Sequence, residues 1–362
     1  IGIDILSWED LGPAGNGPST ATDNVLLLDQ DFYIPQLDRS RRIWIYLPPD
    51  YQNTNKTYPV LYLQDGQNVF DAFTSFSGEW EVDESLNQLF DLGDEGAIVV
   101  AIANGGAERI NEYSPWVNPN YGGGEGALYV DFIVNTLKPY IDNNYRSRPE
   151  REYTGIVGSS MGGLIAMYAA IEHQEVFGKA GVFSPSFWFT DQAYNHVSNT
   201  GKEADTRIYL LAGDLESNGS VVAAIEAMYS TLIAAGFDAA EVNVHTHADG
   251  QHSEWFWARE FPDAYLWLCA DPTTSTTTNN STWKVSVFPN PAGELLYIHF
   301  QEPLLDNMSY QLYTTSGYKL LDRKINNRNI HIATNYLSSG TYWLNFLYQG
   351  KVRQTEKVII NK

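Results

Sequence analysis

The feature that most constrains the fold is the stretch 153–168, in which a β-branched run passes directly into small and apolar residues. The junction reads Gly158-Ser159-Ser160-Met161-Gly162. Glycine on both sides of a serine indicates a sharp strand-to-helix turn, because the turn leaves no room for larger side chains. The first N–H groups of the following helix point to the same place. We therefore predict that Ser160 is a nucleophile; the alternative is a glycine-rich turn without a chemical role.

Apolar runs bounded by turn residues alternate with amphipathic segments on both sides of this stretch. Such alternation predicts a mostly parallel sheet with helices on both faces, the α/β class, with ligands at the carboxyl ends of the strands. The predicted strands are 24–28, 41–47, 59–64, 97–102, 180–183, 207–211 and 242–247. The predicted helices are 129–140, which Pro139 should end or kink, 221–235 and 253–268.

The texture of the chain changes after a polar Thr/Ser/Asn linker at residues 273–282. Residues 1–282 carry 13 basic and 39 acidic side chains, whereas residues 283–362 carry 9 and 5. This break predicts two modules, an α/β domain over 1–272 and a small all-β sandwich over 283–362. The predicted strands of the second module are 285–288, 295–300, 310–314, 341–347 and 357–360.

Several classes of protein are disfavoured by the composition. A formal net charge of -22 argues against nucleic acid or an anionic membrane surface as partner. The sequence lacks a run of 18 apolar residues, so no transmembrane helix is predicted. A single cysteine, Cys269, excludes a disulfide framework and a cysteine metal site. The chain begins at Ile1, which we interpret as a mature form that has lost a signal peptide.

A serine nucleophile needs a base that accepts its proton, and the base needs a carboxylate that orients it. In α/β-hydrolases the order along the chain is serine, acid, histidine. His252 lies in a glycine-containing loop between the last predicted strand and the last helix, where that order requires the base. The loop after strand 207–211 offers Asp214 and Glu216 as the acid, and an extended backbone would let only one of them reach His252.

Two backbone N–H groups are expected to stabilise the oxyanion of such a reaction. We predict those of Met161, at the start of the helix, and of Gln67, in the loop after strand 59–64. A competing pattern, His245-Thr246-His247-Ala248-Asp249, has the ligand spacing of some metallohydrolases. We interpret it as a pair of exposed strand histidines and predict neither a metal nor an organic cofactor.

These motifs together resemble the esterase family of α/β-hydrolases that includes esterase D, enterochelin esterase and carbohydrate esterase family 1. The resemblance covers roughly residues 24–270. Its blocks are Leu61-Tyr62-Leu63-Gln64-Asp65-Gly66-Gln67-Asn68-Val69-Phe70-Asp71, Gly78-Glu79-Trp80, Ala103-Asn104-Gly105 with Arg109 and Glu112-Tyr113, Gly158-Ser159-Ser160-Met161-Gly162-Gly163, and Gly250-Gln251-His252-Ser253-Glu254 with Trp257. In that family the acid usually stands three residues after a strand-ending glycine, which implies Glu216, counted from Gly213; its carbohydrate branch more often has Asp there.

The tail is similar to the C-terminal sorting domain of type IX secretion in Bacteroidetes-type bacteria. The matching blocks are Val287-Phe288-Pro289-Asn290-Pro291-Ala292, Tyr313-Thr314-Thr315-Ser316-Gly317 and Leu337-Ser338-Ser339-Gly340-Thr341-Tyr342. The resemblance implies export to the cell surface or medium by the type IX machinery, and cleavage of the tail on export. A carbohydrate-binding sandwich is the alternative for this module.

Together, these features predict a secreted serine esterase that works through an acyl-enzyme. The family implies acetyl or feruloyl esters on polysaccharides as substrates. The residues predicted to contact substrate are Asn68, Trp80, Arg109, Tyr113 and Trp188, with Phe187 beside the last. Two alternatives stay open: an acyltransferase with the same three catalytic residues, and a surface binding protein without turnover.

Overall fold

A computed structural model gives the structure of residues 18–75, 77–91, 94–269, 283–301, 303–305, 307–314, 318–348 and 350–362. The chain divides into two compact units at residue 269. The predicted linker 273–282 lies outside the described residues.

The first unit is built on an eight-stranded sheet, and a short two-stranded hairpin lies outside it. The strands are β1 Val25–Ile34, β2 Arg39–Tyr46, β3 Val60–Leu63, β4 Ile98–Ile102, β5 Val117–Asn118 and β6 Gly122–Gly123 (the hairpin), β7 Thr154–Ser159, β8 Lys179–Phe183, β9 Arg207–Gly213 and β10 Val242–His247. Their order in the sheet is β1-β2-β4-β3-β7-β8-β9-β10. β1, β2 and β4 pair antiparallel, and every pair from β4 to β10 is parallel.

Helices connect the strands of this sheet. They are α1 Val82–Asp91, α2 Arg109–Glu112, α3 Gly126–Phe132, α4 Lys138–Asn144, α5 Met161–Glu172, α6 Gln192–Thr200, α7 Ser220–Ala234 and α8 Glu254–Cys269. The sequence predicts that Pro139 ends or kinks a helix at 129–140. The helix does not end there, because α3 and α4 are continuous through the π-helical turn Ile133–Leu137. Pro139 lies in the first turn of α4, where a residue without an N–H is tolerated.

The core lies on both faces of the central strands. Every residue of β3, β4, β7 and β8 is buried, as expected for parallel strands covered on two sides. All residues of α5 except Glu172 are buried as well, so this helix is enclosed on all sides. The turn that begins α5 at Ser160 therefore lies between a fully buried strand and a helix that is buried except for its last residue. No helix in the described part of the chain is long and apolar enough to cross a membrane.

The second unit is an all-β sandwich, as predicted. Its strands are β11 Val285–Phe288, β12 Leu295–Phe300, β13 Met308–Thr314, β14 Lys319–Lys324, β15 Asn329–Ala333, β16 Gly340–Tyr348 and β17 Lys351–Ile360. They form two antiparallel sheets, β11-β12-β15 and β14-β13-β16-β17. Leu296 and Ile298 of one sheet and Leu312, Leu344 and Phe346 of the other share one core. The sequence did not predict β14 and β15.

Candidate active site

Ser160 occupies a strained turn between β7 and α5. Its φ of 57° and ψ of -122° are rare for a residue with a side chain. Its N–H donates to the Phe183 carbonyl at 3.0 Å, and its carbonyl accepts the Ser186 N–H at 2.9 Å. A methyl group on Gly158 would lie 2.4 Å from the Gly162 carbonyl oxygen, so glycine is required at position 158 for the chain to turn this sharply. The predicted strand-to-helix turn is present, with Ser160 at its tip.

His252 and Glu216 form a hydrogen-bonded pair. His252 Nδ1 lies 2.7 Å from Glu216 Oε2, and because a carboxylate can only accept, Nδ1 carries the proton. The Glu216 side chain is fully buried, whereas that of His252 is 41% exposed. Asp214 is exposed, and its N–H donates to the His247 carbonyl at 2.9 Å; within the described ranges its carboxylate has no hydrogen bond to a side chain. Glu216, not Asp214, is therefore the carboxylate that reaches the histidine.

The second oxygen of Glu216 is held by two donors that the sequence did not reveal as a unit. Glu216 Oε1 accepts the Gly213 N–H and the Ser184 hydroxyl, each at 2.7 Å. Ser184 Oγ in turn accepts Trp257 Nε1 at 2.8 Å, and the Trp257 ring packs edge-on against His252 with centroids 5.2 Å apart. The only sequence signal for Ser184 was its position directly after β8, at the carboxyl end of the sheet.

The loops that carry Glu216 and His252 are joined through their backbones. The Leu215 N–H donates to the Gly250 carbonyl at 3.1 Å. A methyl group on Gly213 would lie 2.1 Å from the Gly250 carbonyl carbon. Only two glycines allow the loops after β9 and β10 to touch at this distance. This contact fixes the separation of Glu216 and His252.

The two residues predicted to form the oxyanion site lie in different segments. Met161 is the first residue of the helix after Ser160, and Gln67 is in the loop after β3. Among the described residues, neither backbone N–H has a hydrogen-bond acceptor. Gln67 is part of a 3₁₀ turn, Gly66–Asn68, and its side-chain Oε1 accepts the Asn104 N–H at 3.2 Å. β3 and β7 are neighbours, and a methyl group on Gly162 would lie 3.1 Å from Gln64 Cβ. The loop after β3 and the start of α5 are therefore in contact.

Arg109 and Tyr113, which the sequence predicts to contact substrate, are buried and not exposed on a loop; the substrate contact itself stays a prediction. Arg109 is buried and binds the Asp65 carboxylate through Nε at 2.6 Å and Nη2 at 2.8 Å. Tyr113 is fully buried, and its hydroxyl accepts the Asp65 N–H at 3.0 Å. Asp65 itself has a φ of 53°. These contacts hold the loop that carries Gln67 in a conformation a free chain would avoid.

Trp80 and Asn68 are also buried. Trp80 packs against Phe183 and Trp257, with ring centroids 5.0 and 5.7 Å away. Asn68 Nδ2 donates to Glu254 Oε1 at 3.2 Å, which ties the loop after β3 to the start of α8. Burial raises the pKa of Glu254 above its usual value. Trp80 and Asn68 therefore support the segments around His252 and Gln67 from within the fold.

Trp188 is the one predicted substrate residue that is open to solvent. It is 56% exposed and lies in the 3₁₀ turn Phe187–Phe189, which follows Ser186. Ser186 Oγ is 3.3 Å from Ser160 Oγ, so this turn starts beside Ser160. The exposed ring of Tyr121, in the β5–β6 hairpin, stands edge-on to Trp188 at 5.5 Å. Phe187 is buried.

The His245-x-His247-x-Asp249 pattern is committed to other contacts. His245 is buried and stacks on Tyr209, with centroids 4.6 Å apart, so the interpretation as an exposed histidine is wrong for this residue. His247 Nε2 lies 3.0 Å from Glu260 Oε2. Asp249 binds Arg259 through both oxygens, at 2.6 and 3.1 Å. These three residues therefore do not converge on a common point.

The chain belongs to the family described as "Putative esterase", which it matches over residues 34–268. Residues 286–361 match the secretion system C-terminal sorting domain. Both matches confirm the resemblances seen in the sequence. The protein is thus an α/β-hydrolase-fold member of an esterase family, exported to the cell surface or medium by means of its C-terminal domain.

Three relatives illustrate the range of the family. The uncharacterized protein YbbA of Bacillus subtilis is 27% identical over 242 residues, covering 63% of this chain and 92% of that protein. The diacylglycerol acyltransferase/mycolyltransferase Ag85A of Mycobacterium leprae is 28% identical over 192 residues, 51% of this chain and 53% of its own. The iron(III) salmochelin esterase of Escherichia coli is 27% identical over 219 residues, 55% and 48%. The chain thus spans only about half the length of the last two.

Solved structures share the fold. The BES protein from Bacillus cereus has a TM-score of 0.56 and 21% identity, covering 70% of this chain and 98% of that one. A ferulic acid esterase has a TM-score of 0.52 and 18% identity, covering 68% and 98%.

Proposed function

We propose that the protein is a serine esterase in which Ser160 is the nucleophile, His252 the base and Glu216 the orienting acid. The observation that carries the proposal is the strained Ser160 turn at the head of α5, together with the hydrogen bond between His252 and the buried Glu216 carboxylate. Ser160, Glu216 and His252 follow β7, β9 and β10 at the carboxyl edge of the parallel part of the sheet. Ligands bind at this edge in α/β folds.

In the proposed mechanism, Ser160 Oγ attacks the ester carbonyl carbon as its proton passes to His252 Nε2. The N–H groups of Met161 and Gln67 donate to the oxyanion of the tetrahedral intermediate. His252 then protonates the leaving alcohol, and an acyl-enzyme remains on Ser160. Water, deprotonated by His252, releases the acid and regenerates the serine. Glu216 keeps the proton on Nδ1, so Nε2 presents the lone pair that the reaction needs.

Among the described residues, no hydrogen bond joins Ser160 to His252; the hydroxyl neighbour of Ser160 is Ser186. In hydrolases without substrate, the bond between nucleophile and base is often long and tightens in the substrate complex. In the part of the chain that the structure describes, the hydrogen bond of the His252 ring is at Nδ1, and the partly exposed ring can adjust about that bond. We expect the Ser160 hydroxyl to leave its long contact with Ser186 and to bond to His252 when substrate binds.

A fluorophosphonate probe tests the nucleophile directly. We expect the wild-type protein to be labelled stoichiometrically and Ser160→Ala to be unlabelled and inactive on a p-nitrophenyl ester. Ser186→Ala is the matched control, because it removes the neighbouring hydroxyl and leaves Ser160 in place. Near-wild-type turnover by folded Ser160→Ala would contradict the proposal. Absence of labelling in the folded wild-type protein would favour a binding protein without turnover.

We further propose that the substrates are acetyl or feruloyl esters of polysaccharides. Trp188 and Tyr121 offer an exposed aromatic surface beside the nucleophile, suited to a sugar face or a phenolic ring. The sorting domain brings the enzyme to polymers outside the cell. Release of acetate or ferulate from xylan, compared with simple esters at equal concentration, tests this assignment. Preference for short free esters over the polymers would refute it.

Acyl transfer is the second candidate, because a relative is named as an acyltransferase. The two activities share every step up to the acyl-enzyme and differ in whether water or another alcohol resolves it. Adding a sugar or glycerol acceptor to the assay separates them. A hydrolase yields free acid throughout, whereas a transferase yields a new ester whose amount rises with acceptor concentration.

A further inference from the structure

Three carboxylates lie together where the segment after β3 meets the start of α1: Glu79, Asp83 and Glu84. One carboxylate oxygen of each lies within 4.8 Å of the oxygens of the other two. Asp83 and Glu84 are in the first turn of α1, where the helix dipole favours acidic residues. The dipole does not explain Glu79, which precedes the helix, or the convergence of all three groups.

The charge of this cluster is not balanced by the protein. Among the described residues, no lysine, arginine or histidine forms an ion pair with any of the three. Asp83 is fully buried. A fully buried carboxylate with two half-buried carboxylates beside it requires a counter-charge or protons.

The hydrogen bonds of the cluster leave one oxygen of each carboxylate unused. Asp83 Oδ2 accepts the Thr22 N–H and the Thr22 hydroxyl, both at 2.7 Å, and Glu79 Oε2 accepts the Thr20 hydroxyl at 2.9 Å. Within the described part of the chain, Asp83 Oδ1, Glu79 Oε1 and Glu84 Oε2 are buried and have no hydrogen-bond partner. Carboxylate oxygens without a hydrogen-bond donor, on a fully buried aspartate and the two glutamates beside it, indicate a site for a cation.

We propose that Glu79, Asp83 and Glu84 bind a structural calcium ion. The donor set consists only of oxygen, which hard cations prefer. Calcium–oxygen distances of 2.3–2.6 Å allow two ligands of one ion to lie up to roughly 5 Å apart, which matches the spread of the three oxygens. None of the three residues belongs to the proposed catalytic set.

The ion would brace the segment next to the predicted oxyanion loop. The Trp80 N–H donates to the Asn68 carbonyl at 2.8 Å, and the Val82 N–H donates to the Val69 carbonyl at 3.2 Å. The cluster thus flanks the strip of backbone that is bonded to the loop of Gln67. Extracellular calcium modules bind with Kd values of about 10⁻⁴–10⁻³ M, an affinity range that suits an exported protein.

Thermal unfolding of the full chain at pH 8 tests the proposal without reference to activity. About 10 mM CaCl₂, compared with NaCl of equal ionic strength, should raise Tm by roughly 3 to 10 °C. Glu84→Gln should remove this response and, because one negative charge is lost, raise Tm in the absence of calcium. Glu226→Gln, which removes a charge from an exposed position of α7, is the matched control and should keep the full response.

Terbium luminescence provides a second readout, since Trp80 adjoins Glu79 and can sensitise a bound lanthanide. We expect saturable emission that calcium displaces and that both Glu84→Gln and Glu79→Gln abolish. No calcium-dependent change in Tm at pH 8 would overturn the proposal and show that protons neutralise the cluster. A response that persists in both the Glu79→Gln and the Glu84→Gln variant would overturn it as well, because the ion would then bind elsewhere.

Discussion

Replacing Glu216 with glutamine should greatly lower kcat, because the new amide group changes which nitrogen of His252 carries the proton. Glu216 Oε1 accepts the Gly213 N–H, which cannot rotate, and Oε2 accepts His252 Nδ1. A glutamine has one acceptor oxygen and one donor NH₂. Because the fixed Gly213 N–H takes the oxygen, the NH₂ must face His252, and Nδ1 becomes the acceptor. The proton then moves to Nε2, the nitrogen that should receive the proton of Ser160.

The loss should be large because the wrong tautomer cannot act as a base. An acid that holds the tautomer is typically worth up to ~10⁴ in kcat, which corresponds to about 5.5 kcal/mol of transition-state stabilisation. We expect Glu216→Gln to lower kcat by about this factor, with KM little changed because the acid does not touch substrate. The assay is steady-state hydrolysis of a p-nitrophenyl ester, with circular dichroism to verify folding.

Asp214→Asn is the control, since it makes the same chemical change two residues away on an exposed side chain. It should leave kcat within about twofold, as surface substitutions usually have small effects. If Asp214→Asn collapses kcat while Glu216→Gln hardly matters, the assignment of the acid is wrong.

Three further predictions follow from neighbouring contacts. Ser184→Ala removes one of the two hydrogen-bond donors to Glu216 Oε1, a bond worth roughly 1–2 kcal/mol, and should lower kcat about tenfold. An unchanged kcat in a folded variant would mean that the Gly213 N–H alone is enough to hold the carboxylate. Trp188→Ala should raise KM for aryl or polysaccharide esters by roughly 3–10-fold and leave both Tm and acetyl-ester KM unchanged, because the ring is exposed; equal effects on both ester classes would contradict this role. Without calcium, Tm should fall as pH rises from about 4.5 to 8, because Glu79 and Glu84 have raised pKa values and keep protons in the folded state that the unfolded chain releases. A flat pH profile by scanning fluorimetry, or the same slope in the double glutamine variant, would show that these groups do not titrate as described.

The central sheet could be predicted because its strands are enclosed on both faces and therefore read as continuous apolar runs. β3, β4, β7 and β8 are all of this kind. The signal weakens where a strand is exposed. In β14, Lys319–Lys324, charged and half-buried residues mix, and no alternation marks the strand. The continuation of the helix past Pro139 depends on a π-helical turn, which residue periodicity does not reveal.

In the candidate site, the glycine-flanked strand-to-helix motif indicated Ser160 and chain order indicated His252, whereas the choice between Asp214 and Glu216 needed the family resemblance. The structure pairs Glu216 with His252, and the catalytic roles themselves stay a prediction. What the sequence could not show is burial. Tyr113 is an aromatic residue near a loop, as a substrate contact would be, yet its side chain is buried and bonds to the N–H of Asp65, 48 positions away. Such packing between distant segments has no local signature.

The backbone contact between Gly213 and Gly250 has a consequence for how this protein can change over time. Because the backbones of the loops after β9 and β10 contact each other there, Glu216 and His252, the proposed acid and base, are held at a fixed separation. The β5–β6 hairpin and the turn that carries Trp188 belong to other segments of the chain. Mutations can reshape those outer segments, and with them the choice of ester, while the spacing of the proton-transfer pair stays the same. In the proposed mechanism, the choice of substrate and the proton transfer therefore depend on different segments of the chain, so the first can change without disturbing the second.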